Sequence, residues 1–171
     1  MTFDIRQVTV LTESDRQRLF GWAADIFGVE HLQLSWRPNR DWRFILLVDN
    51  QPVSHVAVLL HSILVADQPL RVGGIGGVVT IPHARGQGYA QALLDRVEQF
   101  LCRELLVDFG LLFCRDPLVP FYEQRGWQPI FNLVRIDQPA GPIEAPLHVM
   151  VYPCQRNGFP AGTVVLNSLP W

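Results

Sequence analysis

Val78-Val79-Thr80-Ile81-Pro82-His83-Ala84-Arg85-Gly86-Gln87-Gly88-Tyr89-Ala90 is a β-branched run that a proline closes and two glycines turn into an amphipathic segment. The branched residues favour a strand, and Pro82 ends it. Beyond the glycines, Ala90, Leu93, Leu94, Val97, Phe100, Leu101 and Leu105 recur at the three- and four-residue steps of one helix face. A helix so patterned packs back on a sheet with its first turn at the strand's end. Gly86 and Gly88 lack a Cβ, so successive backbone N–H groups there can converge on an anion. The unpaired amides and the positive dipole end of the helix favour the same ligand, and a pyrophosphate suits them.

At 171 residues the chain suits one domain, read here as 1–171. Apolar residues make up 49%, and no apolar run is long enough for a membrane span. The start, Met1 to Arg6, lacks the basic-then-apolar layout of a secretory signal, so the cytoplasm is the expected location. The net charge of −2, with arginines scattered singly and no lysine, leaves nucleic acid without a footprint. Cys102, Cys114 and Cys154 have no metal-ligand spacing, so neither a disulfide framework nor a metal site is expected.

The other elements follow from pattern. Asp4 to Val10 alternates as a strand, and Ser14 to Gln17 offers a capping box for a helix reaching about Phe27. Glu30 to Arg43, with Trp36 and Trp42, reads as a broken helix and loop. Phe44–Asp49, Val53–Val65 and Leu70–Thr80 form three successive strands. After the helix come a strand over Leu106–Cys114 and a short helix over Pro117–Gln124 capped by Asp116. Strands over Trp127–Ile136 and Leu147–Tyr152 complete the series, before a tail rich in turns. His55 and His61 share a strand face and read as satisfied strand histidines, with a base near neutrality as the alternative. Asp108 reads as a solvated strand end.

Arg85, Gly88 and Ala90 stand in the spacing R-x-x-G-x-A, which resembles the acyl-coenzyme A loop of the GCN5-related N-acetyltransferase (GNAT) superfamily. Phe121-Tyr122-Glu123-Gln124-Arg125-Gly126-Trp127 is similar to that family's short helix carrying a tyrosine beside the thioester sulfur. The resemblance implies an α/β (α+β) GNAT fold, with a mixed central sheet of about six to seven strands, a splayed parallel pair and about four helices. It implies acetyl-coenzyme A as co-substrate, no metal, and direct transfer to a small-molecule amine. Val78, Val79 and Thr80 would then offer backbone to the pantetheine and thioester, and Arg85, Gly86, Gln87, Gly88, Tyr89 and Ala90 would hold the pyrophosphate. Tyr122 would be the general acid, a phenol that keeps its proton at neutral pH.

Within the superfamily, Gly77–Leu94, Tyr122–Trp127 and the terminal tryptophan resemble aminoglycoside 2'-N-acetyltransferases, antibiotic-resistance enzymes. That implies carboxylates for a cationic amino sugar, at Glu30, Glu144 and the chain end at Trp171, with Trp36 as a stacking surface. Gly76 stands where those relatives carry a glutamate base, which points to a differently shaped aminosugar antibiotic, of the kasugamycin type. The tail Gly158-Phe159-Pro160-Ala161-Gly162-Thr163 is similar to that of nodulation acyltransferases, which acylate a chitin oligosaccharide amine. The rival expectations are a non-catalytic acyl-coenzyme A sensor and an acyltransferase that moves a longer acyl chain onto an amino sugar. Strand edges left open in this fold leave room for a homodimer.

Overall fold

The computed structural model describes residues 2–171. Local chemistry sets the first boundaries. The Thr12 hydroxyl accepts from the Asp15 amide at 3.0 Å and starts helix α1 (Glu13–Phe20), so the cap lies two residues before the expected Ser14. The helix stops at Gly21, short of Phe27, and the Trp22 indole donates back to the Leu19 carbonyl at 2.8 Å.

The chain forms two compact units, between which its longest strands are shared: β3 (Gln51–Val65) and β4 (Gln68–Thr80) each run from one into the other. The first unit comprises Met1–Gln33, Asn39–Leu59 and Ile75–Gln99. Here β1 (Phe3–Val8) pairs antiparallel with β2 (Trp42–Val48), and β2 with β3, with a register shift between Leu46 and Leu47. Helix α2 (Tyr89–Gln99) buries Leu93, Leu94 and Val97 completely, as their spacing requires, and the core includes Phe44, Ile45, Leu46, Val56 and Val58. The Arg96 guanidinium lies 5.3 Å from the centre of the Phe44 ring.

The second unit comprises Leu34–Pro38, Leu60–Gly74 and Phe100–Trp171. It adds β5 (Phe109–Cys114), helix α3 (Val119–Glu123), β6 (Gln128–Ile130), β7 (Val134–Ile136), β8 (Ile143–Glu144), β9 (His148–Pro153) and β10 (Val164–Val165). The strand order is β6-β9-β5-β4-β3-β10-β7-β8. Two neighbours are parallel, β4 with β5 and β10 with β7, so the sheet is mixed and the class is the expected α/β one. The β4–β5 ladder holds only three rungs, Val72 to Gly74 against Phe109 to Leu111.

The ten strands among the described residues exceed the six to seven expected, for three reasons. The expected Trp127–Ile136 strand breaks into β6 and β7 at Phe131-Asn132-Leu133, where Asn132 donates to the carbonyls of Pro160 and Gly162. The tail contributes β10, and the segment after Gly141 contributes β8. Strand β5 starts at Phe109 because Leu106 turns with φ of 55°. Asp108, half-buried just ahead of β5, accepts from the Arg71 amide at 2.9 Å through its carboxylate.

The cysteine expectation is corrected. Cys102 and Cys154 form a disulfide, their Cα atoms 4.8 Å apart, while Cys114 is free and buried. Cys102 lies in the π-helical turn that continues α2, and Cys154 follows β9, so only the folded chain brings them together.

Candidate functional site

In the first unit, β4 delivers the chain to the glycine loop, and its alternation decides which backbone groups stay open. The Gly77 carbonyl accepts from His55 at 2.7 Å, the Val79 carbonyl from the Ser54 hydroxyl at 2.9 Å, and the Ile81 amide donates to the Val53 carbonyl at 3.0 Å. Odd-numbered residues therefore turn their backbone to β3, and Val78 and Thr80 turn theirs to the opposite edge. The Val79 carbonyl, one of the groups expected to face a ligand, is engaged by Ser54. The Thr80 carbonyl accepts from Arg85 Nε at 3.1 Å, which leaves the Val78 groups and the Thr80 amide on that edge.

After a 3-10 turn over Pro82–Ala84, Gly86 and Gly88 adopt φ of 74° and 81°, a region costly for other residues. A Cβ built on either meets no atom within 4 Å, so the loop has open space on both. The first intrahelical bond of α2 runs from the Ala92 amide to the Gly88 carbonyl at 3.0 Å, so the Ala90 and Gln91 amides have no acceptor within the helix. No acidic residue occupies the first turn. The Arg85 guanidinium sits 5.2 Å from the centre of the Trp22 ring, held over the end of α1. Gln87 is exposed, whereas the Tyr89 side chain is buried edge-on to Phe3 at 6.3 Å, so it offers the loop only its backbone.

His55 is fully buried and cannot serve as a base. Arg43 has only donors, so it fixes His55 Nε2 as an acceptor at 3.3 Å and Nδ1–H as the donor to Gly77. Burial, followed by the charges of Arg43, Arg40 and Arg16, brings its pKa down to about 3, against a raising influence of the Gly77 bond. Ser54 was not singled out by the sequence; it is fully buried and also bonds the Thr80 hydroxyl at 2.9 Å. A serine inside the apolar run Val53–Leu59 is the signal that could have found it.

In the second unit, Tyr122 on α3 packs edge-on to Phe121 and Trp127, with ring centres 5.1 and 6.1 Å away. Its residue exposure is only 5%, and burial, then Cys114, raises its pKa against the opposing charge of Arg125. The described residues contain no fully buried side-chain nitrogen or oxygen without a partner. Among the described residues the Tyr122 hydroxyl meets no hydrogen-bond partner. Burial and then Asp116 push the Cys114 thiol up to about 11, which keeps it protonated. Asp116 is not a side-chain cap for α3: its carboxylate takes the His148 Nε2 contact at the start of β9.

The expected acceptor residues are dispersed. Glu30 is exposed on a 3-10 turn of the first unit. In the second, Trp36 is half-buried, and the neighbouring Arg37 amide donates to the Pro170 carbonyl at 2.8 Å. The Trp171 indole faces the interior. It is buried, donates to the Leu111 carbonyl at 3.2 Å, and lies edge-on to His61 and Phe113. Glu144 is exposed on β8, opposite Arg135 of β7. His61 is tied down as His55 is, between Arg37 at 3.3 Å and the Leu166 carbonyl at 2.7 Å. The described residues contain no cluster of three or more metal-binding side chains, and no helix is long and apolar enough to cross a membrane.

The sequence profile of the acetyltransferase (GNAT) domain matches residues 7–130. An aminoglycoside 2'-N-acetyltransferase of Mycolicibacterium fortuitum is 35% identical over 94 residues, which is 55% of this chain and 47% of that protein. The chain thus spans about half the length of that curated relative. Among solved structures, the Escherichia coli GNAT family N-acetyltransferase YhbS in complex with CoA superposes with a TM-score of 0.59 at 17% identity, covering 96% of this chain and 89% of that one. A GNAT family acetyltransferase of Brucella melitensis in complex with acetyl-CoA gives 0.55 at 14% identity, with coverage of 95% and 94%. At such identities the structural likeness concerns the fold.

Proposed function

We propose that this chain, which belongs to the acetyltransferase (GNAT) domain family, transfers an acetyl group from acetyl-coenzyme A to a primary amine of an amino sugar. The observation that carries the reading is the loop itself: two left-handed glycines open to solvent, followed by helix amides without an acidic neighbour. A diphosphate satisfies those donors and the helix dipole together. The Val78 backbone groups and the Thr80 amide, on the strand edge away from β3, suit the amides of a pantetheine arm. Solved relatives of the same fold hold CoA and acetyl-CoA.

The reaction is assigned to direct attack. Cys114, the free cysteine among the described residues, is buried and holds its proton, so it is a poor acyl carrier. Tyr122 is the proposed general acid. Its raised pKa makes full transfer to a thiolate uphill, so the phenol first serves as a hydrogen-bond donor to the sulfur as charge develops. It delivers its proton as the amine nitrogen gives one up. The amino sugar rests on the curated relative's name, and Glu30 is the anionic group we assign to it.

The test is thiol release at saturating acetyl-coenzyme A with aminoglycosides, kasugamycin, glucosamine oligomers, polyamines and peptides. Wild type is expected to release thiol with an amino sugar, and Tyr122→Phe to lose about a hundredfold in kcat. Tight acetyl-coenzyme A binding with no thiol released for any amine would replace the enzyme with an acyl-coenzyme A sensor.

A further inference from the structure

Transfer to an amine needs a group that removes a proton from the incoming ammonium, and the second unit offers one beside Tyr122. Cys114 and His148 are direct partners in the antiparallel β5–β9 ladder, so their side chains share a sheet face. The Cys114 thiol, 3.6 Å from Met150 Sδ, marks that face, since Met150 lies two residues along from His148. Cys114 also acts electrostatically on Tyr122, and Asp116 acts on Cys114. Tyr122, Cys114, His148 and Asp116 thus belong to one corner, where β5 ends and β9 begins.

Of the five histidines, His55 and His61 have both ring nitrogens engaged by an arginine and a carbonyl. His31 and His83 are exposed on turns of the first unit. His148 differs from all four. Its Nε2 bonds the Asp116 carboxylate, its side chain is 43% exposed, and among the described residues Nδ1 meets no partner. A carboxylate on one nitrogen fixes that nitrogen as the N–H and leaves the other with its lone pair.

We infer that His148, oriented by Asp116, is the general base that deprotonates the acceptor amine. The inference rests on the acetyltransferase reading above. His148 Nδ1 takes one proton from the acceptor ammonium and releases it to solvent, to which the ring is open. The freed lone pair forms the N–C bond to the thioester carbon as the C–S bond breaks. Sulfur leaves with the Tyr122 proton, and the second proton of the nitrogen restores the phenol. An ammonium and a thioester thus give an amide, a thiol and one solvent proton.

The experiment measures acetyl-coenzyme A binding and steady-state turnover for wild type, His148→Ala and Asp116→Asn, with and without added imidazole. His148→Ala is expected to bind acetyl-coenzyme A as wild type does, to lose about a hundredfold or more in kcat, and to regain part of it with imidazole. Asp116→Asn, which perturbs orientation, is expected to lose about tenfold in kcat at an unchanged donor KM. A His148→Ala enzyme within about threefold of wild-type kcat overturns the inference while leaving the acetyltransferase reading intact. A loss that imidazole does not repair, with a lowered melting temperature, makes the pair a structural clasp and also overturns it. Absence of turnover in wild type itself removes the acetyltransferase reading, and the base with it.

Discussion

Acidification destabilises this protein through His55 in a way that can be isolated. The imidazole is neutral in the fold, with its pKa lowered from 6.5 to about 3, mainly by burial. Between those values the unfolded chain binds a proton that the folded chain does not, so stability falls as pH drops through 6.5 and levels off near 3. At about pH 5 the loss is RT ln(1 + 10^1.5), or about 2 kcal/mol relative to neutrality, and the acid limit is about 5 kcal/mol. His55→Gln keeps an acceptor for Arg43 and a donor for Gly77 but has no proton to bind. Urea unfolding of both proteins at about pH 7.5 and pH 5 gives the comparison: wild type is expected to lose about 2 kcal/mol more than the variant. The variant's absolute stability does not enter. Equal losses would mean that His55 is protonated in the fold or reaches water, and the tautomer assigned to it would fall.

Three other outcomes follow from packing and loop geometry. Trp22→Ala removes the ring beneath Arg85 and is expected to raise the acetyl-coenzyme A KM about two- to fivefold at unchanged kcat, read by steady-state kinetics. Gly74→Ala puts a Cβ 2.4 Å from Trp171 Cε2, so thermal unfolding should show a loss of about 1–3 kcal/mol together with altered indole fluorescence. Replacing both Cys102 and Cys154 with serine opens a loop with a sequence separation of 52 and should cost about 2–4 kcal/mol in denaturant titration. Mass measurement of alkylated protein taken directly from cells reads the state of that pair, which a reducing cytosol would keep as thiols.

The parts of the fold legible in the sequence were those written in local periodicity. The strand to Thr80, the turn at Pro82 and the helix face through Leu93, Leu94 and Val97 are each set by residues within a few positions of one another. The glycine loop was legible for the same reason. What escaped depends on partners far along the chain. Asn132 breaks one expected strand through bonds to the tail, and Cys102 meets Cys154 only after β5 and β9 have paired. Alternation alone leaves a strand's two edges equivalent, so it does not say which way the Val79 backbone turns. Ser54, on the neighbouring strand, marks the edge that faces inward. The glycines before the loop also divide by role: Gly74 makes room for Trp171, whereas Gly77, within β4, takes a φ of 56° and its carbonyl accepts from His55. Asp116 looked like a helix cap because Pro117 follows it, and its bond to His148 depends on the β5–β9 register.

Calorimetric titration of acetyl-coenzyme A into wild type and Gly88→Asp tests the central claim most directly, with circular dichroism to confirm that both proteins are folded. The loop reading expects one equivalent bound by wild type and at least a tenfold weaker affinity in the variant, where a carboxylate and a strained φ replace open space beside the phosphates. Equal affinities in two folded proteins would place the coenzyme elsewhere and contradict the account.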